Sequence, residues 1–421
     1  MRRLMIVLVA VFGLAAYGCG DGLSVDNLLY PGQTDFENTE PGSDGYRGAP
    51  GLDSANGTKG GAEGSQGTPP GAPPQGRTAE VEEADIYRVQ GNNMFYLNTY
   101  RGFMIFDVKD PKTPKVMSRL PVYGYPVEMF VQKNTVYALI RDALYLTQVK
   151  GKMQFKRHNV SQLVAIDISD LNKPKVLQTI DITGELREGV SREVADTVYV
   201  VSYHSKHYYR GWNYNPQQQQ NKEQAWVYAF NVKDPKNLKL VQKLKVFEGG
   251  GYNVSGSNHS EGRYFQGVTI SATSNVLMVV ENWRTYGYVW GGPKCGKSES
   301  LQQAVVTLID ISDPTGKIDQ WAKFETYGHL GDQFKQTYFL DKKTNKAYYM
   351  GIFARREWSS SNCSGSSVIQ NTLEAWDVTS GGKPKRVDTL SFGKPNETVR
   401  GSVFDADRRV AFAITARRVD P

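Results

Sequence analysis

One pattern recurs five times along this chain, and a repeat of that kind constrains the fold more tightly than any composition can. The copies are FMIFDVKDPKTPKVMSRL (103–120), LVAIDISDLNKPKVLQTI (163–180), VYAFNVKDPKNLKLVQKL (227–244), VTLIDISDPTGKIDQWAKF (306–324) and LEAWDVTSGGKPKRVDTL (373–390). Their common anchor is Asp107, Asp167, Asn231, Asp310 and Asp377, at spacings of 60, 64, 79 and 67 residues. Each copy alternates in polarity as a strand does, breaks at a turn, and resumes as a second strand. In the turn, Asp110, Asp170, Asp234 and Asp313 suit side-chain capping of backbone N–H groups, and Pro111, Pro235 and Pro314 follow with a pre-set φ. Between copies lie pairs of further strands joined by tight turns: VEMFVQKNTVYALI, SREVADTVYVVSY, VTISATSNVLMVVEN, QTYFLDKKTNKAYYMGIF and SVFDADRRVAFAIT. Four antiparallel strands per repeat at this period predict an all-β chain built as a β-propeller. Solenoid repeats are shorter, and sandwiches need not repeat.

With strands lettered A to D from the axis outward, the pattern gives five complete blades and then A6 and B6 (398–417) before Pro421. Half a blade leaves an edge of unpaired backbone groups, so the expectation is either a longer natural polypeptide or a partner that covers the edge. Composition agrees with a folded β chain. Aromatic residues make up 11% and charged residues 22%, which excludes a collagen, a polytopic membrane protein and a wholly disordered chain. A net charge of +7 is mild for 421 residues, and no nucleic-acid partner is expected.

Ahead of the repeats the chain changes character twice. Arg2 and Arg3 precede an apolar run from Leu4 to Ala16 that is short for a bilayer span and ends in Ala16-Tyr17-Gly18-Cys19. This reads as a signal peptide over 1–18, and the small residue before Cys19 resembles the lipobox of bacterial lipoproteins. That resemblance implies acylation of Cys19 and anchoring in the envelope, at the outer membrane, facing the periplasm or the surface. Residues 19–78 are rich in Gly, Pro and Ser and poor in residues to bury, so they read as a tether holding a folded body, 79–421, away from the membrane.

The stretches VEEADIYRVQGNNMFYLN (81–98) and SREVADTVYVVSY (191–203), with the repeated IDISDP element, resemble a family of secreted β-propeller proteins distantly like the WD-40 type. The resemblance runs from about residue 80 to the end. It implies the fold and an extracytoplasmic home without implying a reaction.

The blade pattern also sorts the loops. A–B and C–D turns share one face and are short; the B–C connections, 141–162, 204–224, 283–303 and 354–372, share the other and are long. They carry Tyr208, Tyr209, Arg210 and Trp212, then Trp283, Arg284, Tyr286, Tyr288 and Trp290, then Arg355, Arg356 and Trp358. Thirteen Lys and Arg stand there against four acids. Exposed Trp, Tyr and Arg offer contact area, stacking and forked donors, so these residues are the predicted binding surface for an envelope protein or an anionic polysaccharide. The alternative is that they pack on one another to stiffen the loops.

On the same face the D–A connections are acidic, with Glu185, Glu188, Glu248, Glu261, Glu325, Asp332 and Glu397, and they hold His259 and His329. A hydrolase or lyase site there, using Glu261, His259 and His329, is a second reading, and a structural envelope scaffold a third. The chain contains no GxSxG, no GxGxxG opening a helix, no HExxH and no paired-Cys spacing. No catalytic residue, cofactor or metal is assigned. DADRR (405–409) and DKKTNK (341–346) fit A–B turns better than calcium loops. Beyond Cys19 the thiols are Cys295 and Cys363, at matching places in neighbouring blades, and a disulfide is expected between them.

Overall fold

The computed structural model describes residues 72–149, 152–157, 160–186, 191–204, 223–249, 252–255, 259–289, 297–361, 364–405 and 410–417. A short strand, β1 (Val81–Glu83), leads into blade 1: β2 (Tyr87–Gln90), β3 (Asn93–Asn98), β4 (Gly102–Asp107) and β5 (Lys115–Leu120). Blade 2 is β6 (Tyr125–Gln132) and β7 (Thr135–Arg141), a separate hairpin β8 (Leu144–Val149) and β9 (Lys152–Arg157), then β10 (Ser161–Asp167) and β11 (Lys175–Ile182). Blade 3 is β12 (Ser191–Val194), β13 (Thr197–His204), β14 (Glu223–Asn231) and β15 (Lys239–Gly249). After β16 (Tyr252–Ser255), blade 4 is β17 (His259–Ala272), β18 (Val276–Val289), β19 (Lys297–Asp310) and β20 (Asp319–Tyr327). Blade 5 is β21 (Gln336–Asp341), β22 (Lys346–Ser361), β23 (Ser364–Asp377) and β24 (Lys385–Phe392), and β25 (Glu397–Asp405) pairs β26 (Val410–Arg417) as half of a sixth. The fold is an all-β propeller of antiparallel meanders.

The repeated sequence pattern has a repeated physical form. At the anchor, Asp107, Asp167, Asn231, Asp310 and Asp377 each accept a hydrogen bond from the backbone N–H two residues on, at 2.8–3.1 Å. Asp110, Asp170, Asp234 and Asp313 do the same at the turn, at 2.7–3.0 Å. Directly before the anchor, the pairing of every C strand with its D strand shifts register, between Ile105 and Phe106, Ala165 and Ile166, Ala229 and Phe230, Leu308 and Ile309, and Ala375 and Trp376. A bulge there adds the twist that a blade needs toward its rim.

Four hydrophobic cores lie between successive blades. Phe95, Phe103 and Ile105 meet Met129, Val136 and Ile140 between blades 1 and 2. Phe130, Tyr137 and Leu139 meet Val198, Val200 and Phe230 between blades 2 and 3. Tyr199, Val227 and Phe247 meet Leu277, Val279 and Trp283 between blades 3 and 4. Met278, Leu308 and Phe324 meet Tyr349 and Phe353 between blades 4 and 5. The half blade is held by lighter contacts, such as the Asn371 amide to Glu397 O at 2.9 Å and Ser402 Oγ to Phe334 O at 2.8 Å. Its Val403, Phe412 and Ile414 are exposed, as are Ile86, Tyr87 and Val89 of blade 1.

The body begins earlier than the expected start at 79. Arg77 is buried, and its guanidinium donates to Tyr199 Oη (3.0 Å), Ile311 O (2.8 Å) and Val194 O (2.6 Å) while its backbone exchanges bonds with the Asn275 side chain. Tyr338 Oη donates to Pro74 O. From this strap the chain runs into β1, which adds to the inner edge of blade 3 beside β12, and only then enters blade 1.

Candidate functional site: a raised β wall

The long B–C connections of blades 4 and 5 are not loops. β18 and β19 stay paired from Val276↔Asp310 out to Val289↔Lys297, and β22 and β23 from Tyr348↔Asp377 out to Ser361↔Ser364. β17 follows β18 outward, with β16 beyond it. The physical reason is an open edge. β20 ends its pairing at Tyr327↔Gln303, so the outer part of β19 takes β22 instead, with Ser298↔Ser360, Glu299↔Ser359 and Ser300↔Trp358. Two blades thereby fuse into one nine-stranded sheet whose upper part is a wall standing on the face predicted to bind. Blade 2 raises the smaller β8–β9 hairpin in the corresponding connection.

Register sorts the predicted residues on this wall. Arg284, Tyr286 and Tyr288 of β18 alternate along one face, opposite Gln302, Ser300 and Ser298 of β19. Ser300 and Ser298 in turn oppose Trp358 and Ser360 of β22, where Arg356 lies two residues from Trp358 on the same face. Five predicted residues from two blades therefore occupy one face of one sheet. Arg284 and Arg356 are half-buried.

Trp283 and Arg355 have the opposite parity, and the expectation of exposure fails for Trp283. It is only 2% exposed. Its ring packs edge-on against Phe247 (4.9 Å) and Phe265 (5.3 Å), with the Arg263 guanidinium 4.4 Å over it and its indole N–H 3.4 Å from Glu281 Oε2. A tryptophan at the point where the blade core meets the wall is drawn into that core because blade 3 offers Phe247 there. Arg355 is tied down as well. It donates from Nη2 to Glu374 Oε1 at 2.6 Å, and the fully buried Glu374 also accepts from Thr326 Oγ1 (2.5 Å) and the Trp376 indole (3.0 Å). Both residues brace the base of the wall. Tyr208, Tyr209, Arg210, Trp212 and Trp290 lie outside the described residues, as do Cys19, Cys295 and Cys363.

The acidic connections are largely engaged in structure. Glu185 is 3.7 Å from Arg141 and exchanges backbone bonds with Tyr203. Glu248 pairs Lys245, Asp332 pairs Lys335 and caps the 3-10 helix Gln333–Lys335, and Glu397 accepts from Lys394 N and Thr415 Oγ1. His329 is pushed down to about 4 by burial and then by Lys335, so its imidazole is neutral at ordinary pH. Among the described residues no group of three or more His, Cys, Asp or Glu could hold a metal ion.

What the sequence reading missed is a set of buried charges. Glu193 is pushed up to about 8 by burial, then by Glu82 and Asp196. Glu281 is pushed up to about 7 by burial, against which Lys323 acts. Arg192 is fully buried and donates to Ser191 O, Ile270 O and Gln333. The signal was in SREV (191–194), where charges interrupt an inner strand that otherwise has to be apolar.

A family model described as a β-propeller domain matches residues 77–421. No curated protein matches the chain.

Proposed function

The chain belongs to the β-propeller domain family, and from that premise we propose that it is an extracytoplasmic binding module whose raised wall recognises an envelope protein or an anionic envelope glycan. The observation that carries this reading is the register that gathers Arg284, Tyr286, Tyr288, Arg356 and Trp358, from two blades, on one face of one sheet. Neighbouring Arg and aromatic positions on one ladder suit a polymer of sugar rings and carboxylates or sulfates, with rings stacking and guanidinium groups taking the anions. Cys19 anchors the module through its lipid, and residues between Cys19 and the strap at Arg77 give it reach.

A titration against anionic polysaccharide and against envelope extract tests this. Replacing Arg284 and Arg356 together by Ala is expected to weaken binding and flatten its dependence on salt. Replacing Trp358 by Ala should cost about 1–3 kcal/mol with the salt slope kept, by analogy with aromatic platforms that stack nucleobases. Unchanged capture by both variants would defeat the reading.

We propose that Cys295 and Cys363, which stand 15 and 14 residues before the anchors Asp310 and Asp377, form a disulfide that joins the B–C connections of blades 4 and 5.

A further inference from the structure

The strap that leads into blade 1 docks through β1, and β1 sets Glu82 directly opposite Glu193 of β12, flanked by Val81↔Val194 and Glu83↔Arg192. Like charges directly opposed across a ladder repel. Burial makes this pair unusual. Glu193 is 3% exposed, and neither of its carboxylate oxygens has a hydrogen-bond partner among the described residues. Each strand packed around it brings its own group. Glu82 on β1 is paired at 2.9 Å with Arg88 of β2. Tyr137 of β7 donates its hydroxyl to Val232 O (2.7 Å), and Asp196 lies in the turn after β12. Glu128 of β6 is occupied by the Ser191 hydroxyl. Arg88 serves Glu82, Arg192 of β12 donates to Ser191 O, Ile270 O and Gln333, and the described groups that act on Glu193 are the acids Glu82 and Asp196 and the Tyr137 phenol.

We propose that docking of β1 is a proton-dependent latch: a proton kept on the Glu82–Glu193 pair holds the strand on β12, and loss of that proton lets it open. A buried carboxyl without a partner is stable as the neutral acid and unstable as the anion. Both carboxyls are raised, by burial foremost, and Glu193 reaches about 8. The sign follows from linkage. With the docked value near 8 and the open-strand value near that of an ordinary glutamate, 4.5, this contribution to closure is fully present below about 4.5 and is lost progressively as pH rises to about 8. β1 is the place for such an opening, because it is three residues long and, among the described residues, pairs with β12 alone. The strap would thus loosen on moving from a mildly acidic to a mildly alkaline medium, while Arg77 keeps its own bonds.

Amide hydrogen exchange on the full chain, corrected for intrinsic rate, reads this directly. The opening constant of residues 81–83 is expected to rise about tenfold per pH unit between about 5 and 8 and then level off, with β10 amides as a control that does not follow. Glu193→Gln should remove the rise, and Glu82→Gln should shrink it. Glu193→Met, which fills similar space without ionising, serves should the Gln variant unfold. A wild-type opening constant flat in pH, or the same tenfold rise in a Glu193 variant, would overturn the latch.

Discussion

Trp283 and Trp358 belong to one composition class and stand at opposite register parity on the wall, so substituting each in turn separates packing from recognition at the level of single residues. Trp283→Ala removes a ring wedged among Phe247, Phe265 and Arg263 and should destabilise the fold by about 3–5 kcal/mol, read as a shift of the urea midpoint. Trp358→Ala should leave that midpoint near wild type and act on binding. Glu374→Ala deletes the acceptor shared by Arg355, Thr326 and Trp376 and is expected to cost about 3–5 kcal/mol, because the guanidinium is then left uncompensated. The residue types on the wall were legible in the sequence, but their burial was not. A lone Trp at a strand's outer end carries no mark of whether the neighbouring blade supplies a Phe247 to receive it.

At the level of elements, the repeat made the four meander strands of each blade legible, because an Asp or Asn anchor and alternating apolar residues coincide in each copy. The wall was not legible. KSESLQQ (297–303) and ARREWSSS (354–361) have polar residues at both parities, so they show none of the apolar alternation by which a strand is read from sequence. Their strand character comes from neighbours that satisfy their backbone groups, β18 and β23, and from the edge vacated by β20. The staple proposed between the B–C connections of blades 4 and 5 predicts no reactive thiol from Cys295 or Cys363 in unreduced mature protein. Reduction, or Cys363→Ser, should lower stability by up to about 4 kcal/mol for a loop of this length. Two titratable thiols without denaturant would remove the staple and leave the wall's register untouched.

For the whole molecule, the pH response follows from its buried carboxyls. Glu281 and Glu193 are raised to about 7 and about 8, so each binds a proton in the folded state that the unfolded state has already released. Stability should therefore fall as pH rises from about 5 to 8, and a double Glu→Gln variant at these positions should flatten the melting temperature over that range. The apolar surface of Val403, Phe412 and Ile414, with Ile86, Tyr87 and Val89 on blade 1, predicts self-association of the 421-residue chain. Sedimentation at rising concentration should show it, and Ser at 403, 412 and 414 should suppress it.

The strap also decides how the body responds to force. A pull from the N-terminal side reaches Arg77 before it reaches blade 1, and Arg77 is fastened to blade 3 through Val194 and Tyr199 and to blade 4 through Ile311 and Asn275. Those bonds share the load at once instead of parting one by one, as they would if an outer strand were peeled away. Under the proposed tether, a load on a bound polymer would enter the body at blades 3 and 4 through Arg77 and would bypass the edge strands of the blades.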